Sequence, residues 1–141
     1  MDTGIPTPTV VTHLDGEKFS IRIRSHEIIV DQTVKAGGED TAPTPIELLG
    51  ASLGSCIAYY VRRFLETRNL PSHQLRVEVT NTRAKNPSRI DAFQVKVTLP
   101  PDVPERYLPM VERVLEICPA HNTLGMGAKI DVEFLEPALA V

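Results

Sequence analysis

The most constraining feature of this sequence is a stretch beginning at Thr44 that reads as one long helix with almost no polar face. Thr44-Pro45 is a start signal, with Thr as the cap and Pro at the first helical position, where its missing N–H is not needed. Glu47 falls where a capping-box acid reaches back to the cap. The helix is expected to run toward Arg68, where Asn69-Leu70-Pro71 stops it. Ile46, Leu49, Leu53, Cys56, Ile57, Tyr60, Phe64 and Leu65 dominate it, and charges gather only after Val61. Its first half is therefore apolar nearly all round, and such a helix is a buried one. Gly54-Ser55 in its middle marks a place for a kink or a close backbone approach, and Cys56 follows directly.

The segments on either side alternate with the two-residue period of strands. Residues 9–14 and 19–24 read as two strands, with Phe19, Ile21 and Ile23 on one face and Ser20, Arg22 and Arg24 on the other. Asp15-Gly16 between them is a hairpin signal, because the favoured two-residue turns need a positive φ that Gly accepts. Residues 27–31 read as a third strand, and residues 32–44, punctuated by Gly37-Gly38, Asp40 and Pro43, as a surface loop. Beyond the long helix, Leu75, Val77 and Val79, then Phe93, Val95, Val97 and Leu99, mark two further strands with one wet face. Pro100-Pro101 ends the second of these. Residues 104–117 read as a shorter amphipathic helix through Tyr107, Leu108, Val111, Val114 and Leu115, interrupted by Cys118-Pro119. A last strand is expected over residues 129–135. Strands in consecutive groups around helices give an α+β fold on antiparallel sheets, with a long buried central helix and a second helix.

With 141 residues and 42% apolar content, one compact domain over residues 1–141 is expected. A formal charge of −3, with 15 basic residues spread along the chain, offers no concentrated field for a polyanion, so nucleic acid is not expected as a partner. The first residues lack the pattern of an export signal and no stretch approaches the ~20 apolar residues of a membrane span. No membrane association and a cytoplasmic location are the expectations. In that compartment the two cysteines are expected to be reduced or redox-active rather than a structural staple.

Both cysteines stand at helix features that suit a reactive thiolate: Cys56 after the Gly-Ser pair, and Cys118 where one helix ends and Pro119 opens another turn. Free cysteine is equally a common buried packing residue, and spacing alone favours that reading for each of them. His121, three residues after Cys118, is a neighbour of it if residues 119–124 form a helical turn, and its imidazole could then support a thiolate or move a proton. A metal site is ranked below a plain polar histidine, since the candidates fall short of the usual four soft or imidazole ligands. Gly125-Met126-Gly127 lacks the lysine and hydroxyl of a phosphate loop, so no cofactor is expected. Arg62, Arg63 and Arg68 read as a solvated helical face complementing the C-terminal half of the dipole, and Arg22 and Arg24 as surface residues.

The stretch TPIELLGASLGSC, the order of elements around it, and CPAHNTL about 60 residues later resemble the OsmC/Ohr family, named for osmotically inducible protein C and organic hydroperoxide resistance. The resemblance covers residues 9–134. It implies that Cys56 attacks a peroxide and becomes a sulfenic acid, that Cys118 closes it into a disulfide, and that a thiol reductant restores the pair. It also implies an intertwined homodimer sharing one core. The arginine and glutamate that hold the thiolate in the hydroperoxide resistance enzymes have no match in register. The position ten residues before Cys56 is Ile46, with Glu47 one step off, and the hairpin turn Leu14-Asp15-Gly16-Glu17 holds no arginine. The expectation is therefore a thiol-dependent peroxidase for small organic hydroperoxides, with Glu47 and His121 as support for the Cys56/Cys118 pair. The alternative is an OsmC-like protein that binds a small thiol or acyl ligand in the dimer-interface pocket.

Overall fold

A computed structural model describes residues 6–137. These fall into two compact units that interleave along the chain: residues up to Gly54 with Glu78–Lys96, and Ser55–Val77 with the residues from Val97 on.

The first unit holds strands β1 (Val10–His13), β2 (Phe19–Ile23) and β3 (His26–Val30), an antiparallel sheet in that order. His13 pairs with Phe19 in register, so the β1–β2 connection is longer than a two-residue turn. Lys18 N–H donates to Asp15 O at 2.9 Å, closing a turn in which Gly16 takes φ +52°. The β2–β3 connection is tighter. Ile23 pairs with His26, leaving Arg24-Ser25 as the turn with Arg24 at φ +55°. Arg24, expected on a strand face, thus occupies a left-handed position more often given to Gly, Asn or Asp.

After β3 the loop is organised by one carboxylate. Asp31, 1% exposed, accepts hydrogen bonds from Gln32 N (2.7 Å), Thr41 N (3.0 Å), Thr41 Oγ1 (2.9 Å) and, more weakly, Glu39 N (3.3 Å). Four donors on one carboxylate favour its charged form, and the Thr41 N–H foremost holds its pKa down to about 2 despite burial. A Cβ on Gly38 would overlap the Gln32 carbonyl, so the backbone approaches itself where only glycine fits.

Helix α1 (Pro45–Thr67) starts and stops as its sequence signals dictate. Glu47 N–H donates to Thr44 Oγ1 at 3.2 Å, while Thr44 N–H donates to Glu47 Oε2 at 2.8 Å, a closed capping box. At the far end Leu70 N–H donates to Leu65 O (2.9 Å) and Asn69 N–H to Glu66 O (3.0 Å), with Asn69 at φ +54°. This is a Schellman ending with asparagine in the left-handed position. The helix runs without interruption through the buried Gly54 and the exposed Ser55, a place marked in the sequence for a kink or a close backbone approach. Gly50 faces Val79 and Phe93 of the hairpin β4 (Arg76–Ala84) and β5 (Arg89–Thr98), which pair with each other.

The helix is not covered all round in the single chain. Leu53, Ile57, Val61 and Leu65 recur every fourth residue and are 3%, 1%, 1% and 0% exposed, whereas Leu49 and Tyr59 remain open. One stripe is buried because side chains four apart share one helical face. In the second unit that stripe is joined in burial by Val111, Val114 and Cys118.

The expected second helix over residues 104–117 is divided: a 3₁₀ turn at Glu105–Tyr107, helix α2 (Leu108–Arg113) and another 3₁₀ turn at Val114–Ile117. Pro109, in the first turn of α2, has no N–H to continue a ladder from the turn before it. A third helix, α3 (Pro119–Met126), follows Cys118. Residues 129–135, expected as a strand, belong to none among the described residues. Their apolar side chains stand in the open, Ile130 at 83% and Phe134 at 93% exposure, because a strand forms only against a partner edge. Also among the described residues, no helix is long and apolar enough to cross a membrane.

Candidate active site

Both cysteines lie in the second unit and are unlinked. α1 places Cys56 beside the fully buried Ile57, at the edge of the buried stripe, so its sulfur is half-buried. Cys118 has no exposed surface. It closes the 3₁₀ turn, its N–H donating to Leu115 O at 3.2 Å, and serves as N-cap of α3, its carbonyl accepting from Asn122 N at 3.0 Å. Asn122 secures the same bend from its side chain, Nδ2 donating to Glu116 O at 2.9 Å. One asparagine thus ties the backbone before Cys118 to the helix after it.

The structure brings the two thiols close enough for Cys56 to influence the ionisation of Cys118. Burial, more than any other influence, pushes the Cys118 thiol above its ordinary value, and the hydrogen bond and charge of Cys56 push the same way. The backbone N–H groups of His121 and Ala120 oppose this electrostatically, though the Cys118 side chain makes no true cap hydrogen bond to the helix it begins. Desolvation wins, so the Cys118 thiol is harder to ionise than an ordinary one. The chemical consequence is a division of labour: one cysteine half-buried, and beside it one fully buried whose thiol gives up its proton less readily than usual. A sulfenic acid formed on the first would have the second as its nearest thiol.

His121 contributes its N–H to this environment, while its ring is exposed, with Nδ1 3.3 Å from Asn122 Oδ1. The carbonyl oxygen of Asn122 can only accept, which suits the tautomer protonated at Nδ1. Glu47 belongs to the first unit, where its carboxylate is engaged in the capping box. Among the described residues, no three His, Cys, Asp or Glu side chains gather so as to hold a metal ion. Sequence reasoning passed over Asn122. Its signal was present, an asparagine in the first turn after a Cys-Pro break, but its partner six residues back becomes visible only once the chain bends.

Comparison with known proteins agrees with this architecture. An osmotic stress induced and detoxification response protein of Psychrobacter arcticus 273-4 superposes with a TM-score of 0.77 at 22% identity, over 87% of this chain and 91% of that one. An OsmC-like protein of Mycoplasma pneumoniae gives 0.68 at 19% identity, covering 89% of each chain. A Legionella pneumophila protein described as the organic hydroperoxide resistance protein OsmC gives 0.59 at 16% identity, over 84% of this chain and 89% of that one. These likenesses establish a shared fold. A search of the curated proteins finds no match. The family model for OsmC-like protein matches residues 37–133, well over half of the sequence, and the chain belongs to the OsmC-like family.

Proposed function

We propose that the chain is a thiol-dependent peroxidase that reduces organic hydroperoxides in the response to oxidative or osmotic stress. The observation that carries this reading is the half-buried Cys56 close beside a fully buried Cys118 whose thiol is harder to ionise than usual. In the first step the Cys56 thiolate attacks the terminal oxygen of a hydroperoxide; the O–O bond breaks, an S–O bond forms, and the leaving alkoxide takes a proton to depart as the alcohol. In the second, the Cys118 sulfur attacks the Cys56 sulfenic acid, an S–S bond replaces the S–O bond, and water leaves with the Cys118 proton. A dithiol reductant then restores both thiols and is itself oxidised to a disulfide. His121, exposed beside the Cys118 bend, is assigned to the proton given to the alkoxide. Glu47 acts through the capping box, fixing the start of the helix that carries Cys56.

The working form is proposed to be a homodimer. Ile130, Val132 and Phe134 alternate and lie open, as a strand does before it is paired, and a second copy of the chain supplies the missing edge. Among the neighbours, the Legionella protein carries the name of organic hydroperoxide resistance, which supports the choice of substrate.

Variants test the roles directly. Cys56→Ser is expected to abolish peroxide turnover, and Cys118→Ser to leave a sulfenic acid that dimedone traps. Full turnover by Cys56→Ser would overturn the proposal.

A further inference from the structure

One face of the β1–β2–β3 sheet, within the first unit, carries a cavity of about 290 Å³. Its lining follows from the register. Arg22 of β2 lies opposite Val10 on one side and opposite Glu27 on the other, and Ser20 lies opposite Thr12. Directly opposed residues of an antiparallel pair share a face, as do residues two apart along a strand. These side chains therefore stand on one face, and Leu14, two residues beyond Thr12, completes the lining. Val10 and Leu14, 51% and 48% exposed, form an open aliphatic wall, while Ser20, Arg22 and Glu27 form a polar floor.

The two charges of that floor do not meet. Arg22 and Glu27 are a cross-strand pair of opposite sign, an arrangement that ordinarily closes into an ion pair. Glu27 instead leans along the diagonal, where Ser20 Oγ donates to its Oε1 at 2.5 Å. Ser20 is only 8% exposed, and a buried hydroxyl holds on to its acceptor, so the carboxylate is anchored away from the arginine. The Arg22 guanidinium has no carboxylate or hydrogen-bond partner among the described residues. One anchored carboxylate and one free guanidinium thus border the same small cavity from neighbouring strands without neutralising each other.

A simple cation or anion would satisfy one of these groups and leave the other. A ligand that carries both charges on one carbon satisfies both, its carboxylate on the planar fork of Arg22 and its ammonium donating to Glu27. Adjacent strands stand only about 4.8 Å apart, so the two charges of the ligand must be close neighbours. A residue inside a peptide has neither charge. The volume lies at the lower end of ordinary ligand pockets, about 300–1,000 Å³, which restricts the occupant to one small molecule. From this charge complementarity beside an aliphatic wall, we propose that the sheet cavity binds a free α-amino acid with an aliphatic side chain. Its carboxylate rests on Arg22, its ammonium on Glu27 and its side chain against Val10 and Leu14. Both cysteines belong to the other unit, and the proposal holds whether or not Cys56 reacts with peroxides.

L-Leucine, 3-methylbutylamine and 4-methylpentanoate share one hydrocarbon skeleton and differ in the charges they carry. Calorimetric titration of the reduced full chain is expected to show leucine binding at least ~tenfold more tightly than either single-charge analogue, about 1.4 kcal/mol. In Arg22→Gln the preference for leucine over the amine is expected to fall to about one, and in Glu27→Gln the preference over the acid is expected to do so, with folding of both variants checked by circular dichroism. Equal affinity of the unsubstituted protein for all three ligands would overturn the proposal, as would glycine binding as tightly as leucine or preferences that survive both substitutions. So would the absence of leucine binding at millimolar concentration because a second copy of the chain covers this face.

Discussion

Replacing Leu65 by alanine isolates the contribution of the buried stripe of α1. Leu65 is 0% exposed, and leucine and alanine have nearly equal helix propensity, so the helix itself is little penalised. The Leu65 carbonyl that accepts from Leu70 is retained, leaving the Schellman ending intact. What is lost is the packed side chain, and emptying such a site costs about 2–5 kcal/mol depending on how far the surroundings collapse. For a chain of this size each kcal/mol shifts the melting temperature by roughly 2–4 °C, so a fall of about 4–20 °C is expected. Leu49→Ala is the internal control. Leu49 is 41% exposed in the single chain, and its truncation is expected to cost less than about half as much. Urea unfolding of both variants, at two protein concentrations to separate folding from association, measures the difference. Equal losses independent of concentration would refute the assignment of the core to one stripe.

Other consequences follow from particular contacts. Asn122→Ala removes the Nδ2 bond to Glu116 O, worth about 1 kcal/mol; closure of the disulfide after peroxide addition, followed by stopped-flow mass analysis, is expected to slow by up to ~fivefold while the initial attack is unaffected. Asp31 titrates at about 2 in the fold against an ordinary 3.8, so the unfolded chain binds more protons between those values. Its stabilisation is present above about 3.8 and is lost as pH falls through about 2, and Asp31→Asn is expected to flatten the acid limb of the stability curve. Because burial raises the Cys118 thiol above its ordinary 9.0, iodoacetamide at pH 8 is expected to label Cys56 first, as peptide mapping would show; faster labelling of Cys118 would contradict the assigned roles.

What the sequence disclosed and what it hid divide along the range of the interactions. The bounds of α1 were legible because capping boxes and left-handed endings are written in consecutive residues, Thr44 to Glu47 and Leu65 to Leu70. The β1–β2 hairpin and the half-buried faces of β4 and β5 were legible from local pattern, whereas the pairing of β4 with β5 was not. Residues 129–135 carry the same alternation without forming a strand, because alternation names a face and not a partner edge. The division of residues 104–117 into 3₁₀ and α turns was hidden because its apolar spacing suits either helix. Asp31 and Asn122 bond to backbone groups up to ten and six residues distant, contacts that no local pattern encodes. Arg62, Arg63 and Arg68, read as a solvated helical face, are exposed as expected.

The most direct test of the central claim is the mass of pre-reduced protein after one equivalent of cumene hydroperoxide, with hydrogen peroxide run in parallel. The account predicts rapid loss of two hydrogens, the product mapped as a Cys56–Cys118 disulfide, and faster reaction with the organic peroxide. A mass unchanged over an hour would contradict it.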